Sequence, residues 1–181
     1  MLVARVCQMF PNATVSMLVS RFFWIYAHWQ WPTPVTLVET QPDYSDGSDR
    51  HHHIPIIIPV YPYSCCSYNV TKSTLQKLKS EFSRGWDAIM KMELNWSTLP
   101  NSGDWNVLFE RFPFCSSYDF FIQIHVTASD EDDFRSWRGW FESRFYHLLL
   151  KFEKLPAYCD PNPYPYFDNN LKEATNRVVF P

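Results

Sequence analysis

Residues 54–61 read Ile, Pro, Ile, Ile, Ile, Pro, Val, Tyr, and a third proline follows at 62. Proline has no backbone N–H, so Pro55, Pro59 and Pro62 each withhold a ladder donor. Such a run can be an edge strand or an extended wall, not a central strand. A turn-like stretch, Ser67, Tyr68, Asn69 and Val70, separates it from Ser73, Thr74, Leu75 and Gln76. Those four have the form of a capping box, in which the serine hydroxyl and the glutamine side chain satisfy two orphan helix amides reciprocally. Leu75, Leu78, Phe82, Trp86, Ile89 and Met90 then recur at helical spacing to about Leu94. The chain must therefore pass from an apolar wall into a long helix with only a turn between them.

The rest of the chain arranges itself around that transition. Residues 2–9 read as a helix ending before Pro11, which biases its predecessor away from helix. Asn12 is the expected cap of a second helix carrying Val15, Leu18, Val19, Phe22, Phe23, Tyr26 and Trp29. Residues 35–38 form a short apolar run, and residues 39–53 form a polar linker rich in Asp and Ser. After Asn101, Ser102, Gly103 and Asp104, a short helix is expected over residues 105–111. At Tyr118 the period changes to two: Ile122, Ile124 and Val126 alternate with Gln123, His125 and Thr127, a half-buried strand. Ser129 is the expected cap of a last helix, with Asp130, Glu131, Asp132 and Asp133 favourably placed against its dipole. Phe134, Trp137, Phe141, Phe145, Leu148 and Phe152 form its apolar stripe. Residues 156–181 offer at most one further strand, Val178 to Phe180. The order predicts an α+β chain of two regions, 1–114 and 115–181, the second incomplete because a strand and one helix cannot bury the helix face alone.

With 181 residues, 46% of them hydrophobic, the chain has enough material for a true core, burying roughly 70% of its unfolded surface. Aromatics at 18% are first of all core filler, and secondarily stacking surface. The net charge of −3 lacks the global basic excess of a phosphate-gripping protein. Any RNA contact must then rest on a local cluster or on another part of the protein. Five cysteines without regular spacing indicate reduced thiols, in the nucleus or the cytoplasm. Arg5 and Gln8 interrupt the first apolar stretch, so no secretory leader is expected. No run reaches ~18 apolar residues, so no membrane-spanning helix and no membrane partner is expected.

Few residues carry chemistry. His51, His52 and His53 are consecutive, and successive side chains of extended backbone point to opposite sides, which disfavours a shared metal ion. Cys65 and Cys66 lack the spacing of zinc ligands. Neither a Gly-rich phosphate loop nor a nucleophile elbow occurs, and with 4 glycines there is little to build one from. Arg135, Arg138, Arg144 and Lys151 alternate with Trp137, Trp140 and Tyr146, the nearest approach to basic residues interleaved with aromatics. Glu142 and the acidic residues at 130–133 share that helix, which makes an ordinary charged face the plainer reading.

Ser48, Asp49, Arg50, His52, Pro55, Ile56, Ile57, Pro59, Tyr61 and Pro62 match in order S-D-R-x-H-x-M-P-I-I-T-P-A-Y-P. Ser67, Tyr68, Asn69, Val70, Ser73 and Thr74 match S-Y-N-V-S-x-S-T. Both patterns belong to the central domain of eukaryotic nuclear poly(A) polymerases, which this chain resembles. The likeness continues in the first helix (Met1, Leu2, Val3, Ala4, Arg5, Cys7, Gln8), in Trp29, Trp31, Pro32, Pro34 and Val35, and in Trp105, Leu108, Phe109 and Glu110. It ends in Trp137, Gly139, Trp140, Glu142, Ser143 and Arg144, which resemble a W-x-G-W-V-E-S-R helix of the family's C-terminal domain.

The resemblance implies a helical central-domain portion over 1–114 followed by a truncated RRM-like, ferredoxin-like α/β sandwich over 115–181. It implies part of a polynucleotide adenylyltransferase that adds AMP from ATP to RNA 3′ ends in mRNA polyadenylation, in the nucleus. The implied partners are the RNA 3′ end, ATP, an N-terminal catalytic domain and the pre-mRNA cleavage and polyadenylation machinery. Two magnesium (or manganese) ions are held by acidic residues of that catalytic domain. No Gly-Ser followed by paired aspartates occurs here, so no catalytic residue or metal ligand is expected, and the chain alone is expected to be inert, a fragment. Arg50, His52, Ile54, Asn69, Ser73 and Thr74 are carried over as RNA- and nucleotide-binding candidates. The alternative is a non-catalytic RNA-binding or interaction module from a truncated or degenerate paralogue. Ile54 stands where the family has Met, Ile58 where it has Thr, Cys65 where it has Asn and Asp119 where it has Lys.

Overall fold

A computed structural model describes residues 1–38, 52–61, 63–95, 105–122, 124–155, 158–161, 166–167 and 176–180. The architecture is α+β and divides into two compact units, Met1–Glu110 and Arg111–Pro181.

The first unit holds helices α1 (Leu2–Met9), α2 (Val15–His28) and α3 (Lys72–Asn95), with a 3₁₀ turn at Trp105–Phe109. The apolar stripes of α2 and α3 meet around Val6, Ile25, Tyr26, Val35 and Phe82, with Phe22 and Leu78 packed against them. Much of the aromatic content is used here. Phe82 meets Phe22 edge-on at 5.8 Å and Tyr26 at 5.6 Å, separations typical of stabilising ring pairs. Tyr26 is fully buried, and its hydroxyl donates to the Leu2 carbonyl at 2.8 Å, tying α1 to α2. Further along α3, Ala88 and Ile89 bury Leu108 of the 3₁₀ turn, with Phe23 and Val19 of α2 against them. The helix expected over 105–111 is thus shorter and tighter than its sequence implies. Leu94 lies outside the core.

Helix α1 spans the expected residues 2–9, whereas α2 and α3 are capped elsewhere than expected. Asn12 lies in a turn closed by Ala13 N–H to Phe10 C=O at 3.2 Å, and Thr14 becomes the α2 cap, accepting from Met17 N–H at 3.5 Å. For α3 the cap is Thr71, whose hydroxyl oxygen accepts from Thr74 N–H at 3.2 Å. The Thr71 carbonyl already accepts from Leu75 N–H at 2.9 Å, so Ser73 stands inside the first turn and the Ser73–Gln76 box does not form the cap.

The proline-spaced segment is not an edge. Val35 N–H bonds Pro55 C=O at 2.9 Å and Ile57 N–H bonds Val35 C=O at 3.0 Å on one side. On the other, Ile58 N–H bonds Ser64 C=O and Cys66 N–H bonds Ile56 C=O, both at 3.0 Å. Pro55 and Pro59 bracket three residues whose amides are intact, and a proline carbonyl still accepts, so a short central ribbon is possible where a long one is not. The isolated bridges are Val35 to Ile56, parallel, and Ile57 to Cys65, antiparallel.

The second unit contains β1 (Ile124–Ala128), α4 (Glu131–Phe152), β2 (Tyr166–Phe167) and β3 (Asn176–Phe180). The sheet is antiparallel in the order β1-β3-β2, with Val126 opposite Val178 and Tyr166 opposite Val179. The expectation of at most one further strand is therefore corrected to two. β2 has 2 residues, too short to register as a period. Ile124, Val126 and Ala128 pack against Phe134 of α4, as does Phe141, while His125 and Thr127 are exposed. Asp130, not Ser129, caps α4: its carboxylate accepts from Asp133 N–H at 2.8 Å, and a charged acceptor is the stronger one there. Trp137 leaves the apolar stripe. At roughly 3.6 residues per turn it falls about 60° round from Phe134, and it is 56% exposed.

Candidate functional site

The segment from His52 to Thr74 folds as one piece, and a single hydroxyl pins it. Ser67 donates to the Ile54 carbonyl and accepts from Ile56 N–H at 3.2 Å, with the Cys65 thiol also 3.2 Å away. A turn follows, closed by Val70 N–H to Ser67 C=O at 3.2 Å, and leads directly to the Thr71 cap. The ribbon, the turn and the N-terminus of α3 are thereby held in fixed register.

The predicted residues occupy different depths of this unit. Ile54 is 3% exposed and Ser73 6%, so both support the wall from inside. The Thr74 hydroxyl lies 3.1 Å from that of Thr71, inside the cap. His52 is partly buried, and Asn69 is exposed at the turn. Arg50 lies outside the described residues, as does most of the 39–53 linker. Ser67 and Thr71, which tie these candidates together, are not among the predicted binding residues. The signal was present as two hydroxyl residues flanking Tyr68, Asn69 and Val70, a spacing suited to local side-chain bonds to the backbone.

Among the described residues no three His, Cys, Asp or Glu side chains are gathered in a way that could hold a metal ion. Likewise, none of the described helices is long and apolar enough to cross a membrane.

In the second unit, a cavity of ≈ 400 Å³ is lined mainly by aromatic and aliphatic side chains, among them Phe114, Tyr118, Phe145 and Phe152. Asp119 lines it too. The Tyr118 hydroxyl donates to the Asp160 carboxylate at its margin. Burial, with Asp160 and Glu153 adding negative charge, pushes the neighbouring Cys159 thiol above its usual pKa; a protonated thiol is a poor nucleophile. None of the predicted binding residues lies here.

On α4, Arg135 pairs with Asp132 at 3.5 Å and Glu131 at 3.8 Å, and Arg138 pairs with Glu142 at 2.8 Å. Arg144 instead lies over the Trp140 ring, 4.5 Å from its centroid.

Comparison with known proteins agrees with this two-part layout. Residues 1–111 match the profile of the poly(A) polymerase central domain, and residues 113–177 that of the poly(A) polymerase predicted RNA binding domain. The chain belongs to the poly(A) polymerase family. It is 41% identical over 180 residues to nuclear poly(A) polymerase 4 of Arabidopsis thaliana, covering 93% of this chain and 24% of that relative. It is 39% identical over 184 residues to the poly(A) polymerase of Dictyostelium discoideum, covering 97% of this chain and 22% of the relative. For nuclear poly(A) polymerase 3 of Arabidopsis thaliana the values are 38% over 180 residues, 99% and 33%. The chain thus spans between about a fifth and a third of the length of these relatives.

Proposed function

We propose that this chain is the central and RNA-binding portion of a nuclear polynucleotide adenylyltransferase, which extends RNA 3′ ends with AMP from ATP in mRNA polyadenylation. The observation that carries the reading is the pair of adjoining family matches, 1–111 and 113–177, in the order expected of one enzyme. Their junction lies close to the division between Glu110 and Arg111. The functional regions on this reading are 1–114 and 115–181. The strand order β1-β3-β2 with α4 between β1 and β2 supports an RRM-like, ferredoxin-like arrangement for the second.

Two divalent cations, magnesium or manganese, supply the charge that activates the RNA 3′ hydroxyl toward the α-phosphate of ATP. The nucleotidyltransferase segment that holds them is not within these 181 residues on this reading. This chain contributes the other wall of the cleft. Asn69 at the exposed turn and the partly buried His52 serve as polar contacts for RNA and nucleotide, with Arg50 on the linker. Ile54, Ser73 and Thr74 hold that surface in place from behind. The positive end of the dipole of the 24-residue α3 falls at this same turn, which favours an anionic ligand there. The cleavage and polyadenylation machinery is the partner at the level of the assembled enzyme.

The test is primer extension. The purified chain with ATP, magnesium and an RNA primer is expected to add no AMP. Combined with a separately produced nucleotidyltransferase domain of a relative, it should restore extension, and Asn69→Ala should raise the apparent KM for primer or ATP. AMP addition by the chain alone, or extension by the catalytic domain that is indifferent to the chain's presence, would overturn the reading.

A further inference from the structure

We infer that the outward stripe of α4, formed by Trp137, Trp140, Arg144 and Lys151, grips single-stranded RNA. The inference rests on the adenylyltransferase reading and adds to it the surface that holds the strand. Phe134 and Leu149 are buried on the inner side of α4, and Phe141 packs against Phe134. The four outward residues are spaced by three, four and seven positions, which keeps them in one line along about 20 Å of helix.

Tryptophan is highly buried on average, yet Trp137 is 56% and Trp140 51% exposed. Their rings meet edge-on at 5.7 Å and 69°, a pair of adjoining indole surfaces open to solvent. Adjoining exposed aromatic surface of this kind marks an interaction site.

The charges indicate what binds there. Arg135 and Arg138, turned away from this stripe, are neutralised by Glu131, Asp132 and Glu142. Arg144 is held by Trp140 and by the Ser143 hydroxyl, to which it donates at 3.3 Å. Neither Arg144 nor Lys151 has a carboxylate within ion-pair distance among the described residues. Asp133, one turn before Trp137, is the acidic residue of the stripe, so positive charge gathers toward its C-terminal half. Exposed rings beside cations with no carboxylate partner suit a strand that offers stacking bases and phosphates together. A purely apolar protein surface would leave both cations without a counter-charge. The arrangement also resolves how a chain of net charge −3 can hold a polyanion: the positive charge is local.

The test measures anisotropy of a fluorescein-labelled oligo(A) of about 15 nucleotides with the whole chain, at about 50 and 200 mM salt. Trp137→Ala and Trp140→Ala together should weaken binding at least about tenfold. Arg144→Ala should lower the salt slope by about one. Arg135→Ala, off the stripe and already paired, should stay within about twofold of the parent. Unchanged melting temperatures of these surface variants separate lost contacts from lost folding. If the parent binds and the tryptophan variants bind as tightly, RNA lies elsewhere and this inference fails while the adenylyltransferase reading stands. If those variants keep RNA affinity but abolish self-association seen in the parent, the stripe is a protein interface and the inference also fails. A parent chain that binds no oligo(A) even at the lower salt overturns this inference and leaves the adenylyltransferase reading to the primer-extension test.

Discussion

Phe23 lies so close to Gly85 that a Cβ built on the glycine would stand 2.2 Å from the ring's Cδ1 and Cε1. The contact lets α2 and α3 approach closely at the point where both core clusters of the first unit meet Phe23. Gly85→Ala gains helix propensity, about 1 kcal/mol at an interior position. The clash is the larger effect, because Phe23 also meets Phe22 edge-on at 5.3 Å and cannot swing aside alone. Overpacking of this kind costs roughly 1–3 kcal/mol, so urea unfolding should show a net loss. In a Phe23→Leu background the same alanine should be neutral or stabilising. Equal losses in both backgrounds would mean the ring is not the obstacle.

Thr71 caps α3 while 2% exposed. Thr71→Ala should cost about 2 kcal/mol, the upper part of the range for such caps, because water cannot replace the lost acceptor. Thr71→Ser keeps the oxygen and should recover most of that. The check is the unfolding midpoint of the two variants; an alanine variant as stable as the parent would refute the cap assignment.

What sequence conveyed and what it did not divide along physical lines. The long stripes of α2 and α3 were legible because Phe22, Tyr26, Leu78 and Phe82 repeat at the period that core burial enforces. The caps were legible in kind but misplaced at all three sites. Thr14, Thr71 and Asp130 each have another hydroxyl, amide or carboxylate within two residues, and only the entry angle of the backbone selects among them. The ribbon at Ile56 and Ile57 was hidden because its partners, Val35 and Cys65, are set by tertiary contacts and not by its own pattern. Within the candidate site, the described residues suggested by resemblance fall in one segment, but their depth was not readable. Ile54 and Ser73 are inside and Asn69 is outside, a distinction made by the Ser67 hydroxyl and the Thr71 cap.

Ser67→Ala removes the bridge between the Ile54 carbonyl and Ile56 N–H. Leaving those two backbone groups without that partner should cost roughly 1–3 kcal/mol. The more telling readout is local: amide exchange at Ile56 should accelerate well beyond that of α3. If exchange at Ile56 is unchanged, the hydroxyl does not hold the ribbon. On the adenylyltransferase reading, the same variant should raise the KM for RNA primer or ATP while leaving binding at the α4 stripe untouched.

Burial pushes the Tyr26 phenol up to about 12 from its ordinary 10.0, with the Arg5 charge pulling the other way. A raised folded-state pKa means that the unfolded chain releases the proton first. Below pH 10 both states hold it, and the contribution to stability is complete; between pH 10 and pH 12 the unfolded state alone is ionised, and stability falls. At about 1.4 kcal/mol per pKa unit the loss across that window is on the order of 2–3 kcal/mol. Tyr26→Phe removes the bond to the Leu2 carbonyl and should cost about 1 kcal/mol at neutral pH. Having no phenol to ionise, it should also lose this part of the alkaline decline. The difference in unfolding free energy between parent and variant should therefore shrink and then reverse as the pH passes through the window. Curves that run parallel from neutral to strongly alkaline pH would show that Tyr26 ionises as easily folded as unfolded, and that the ring is not sealed beneath α1.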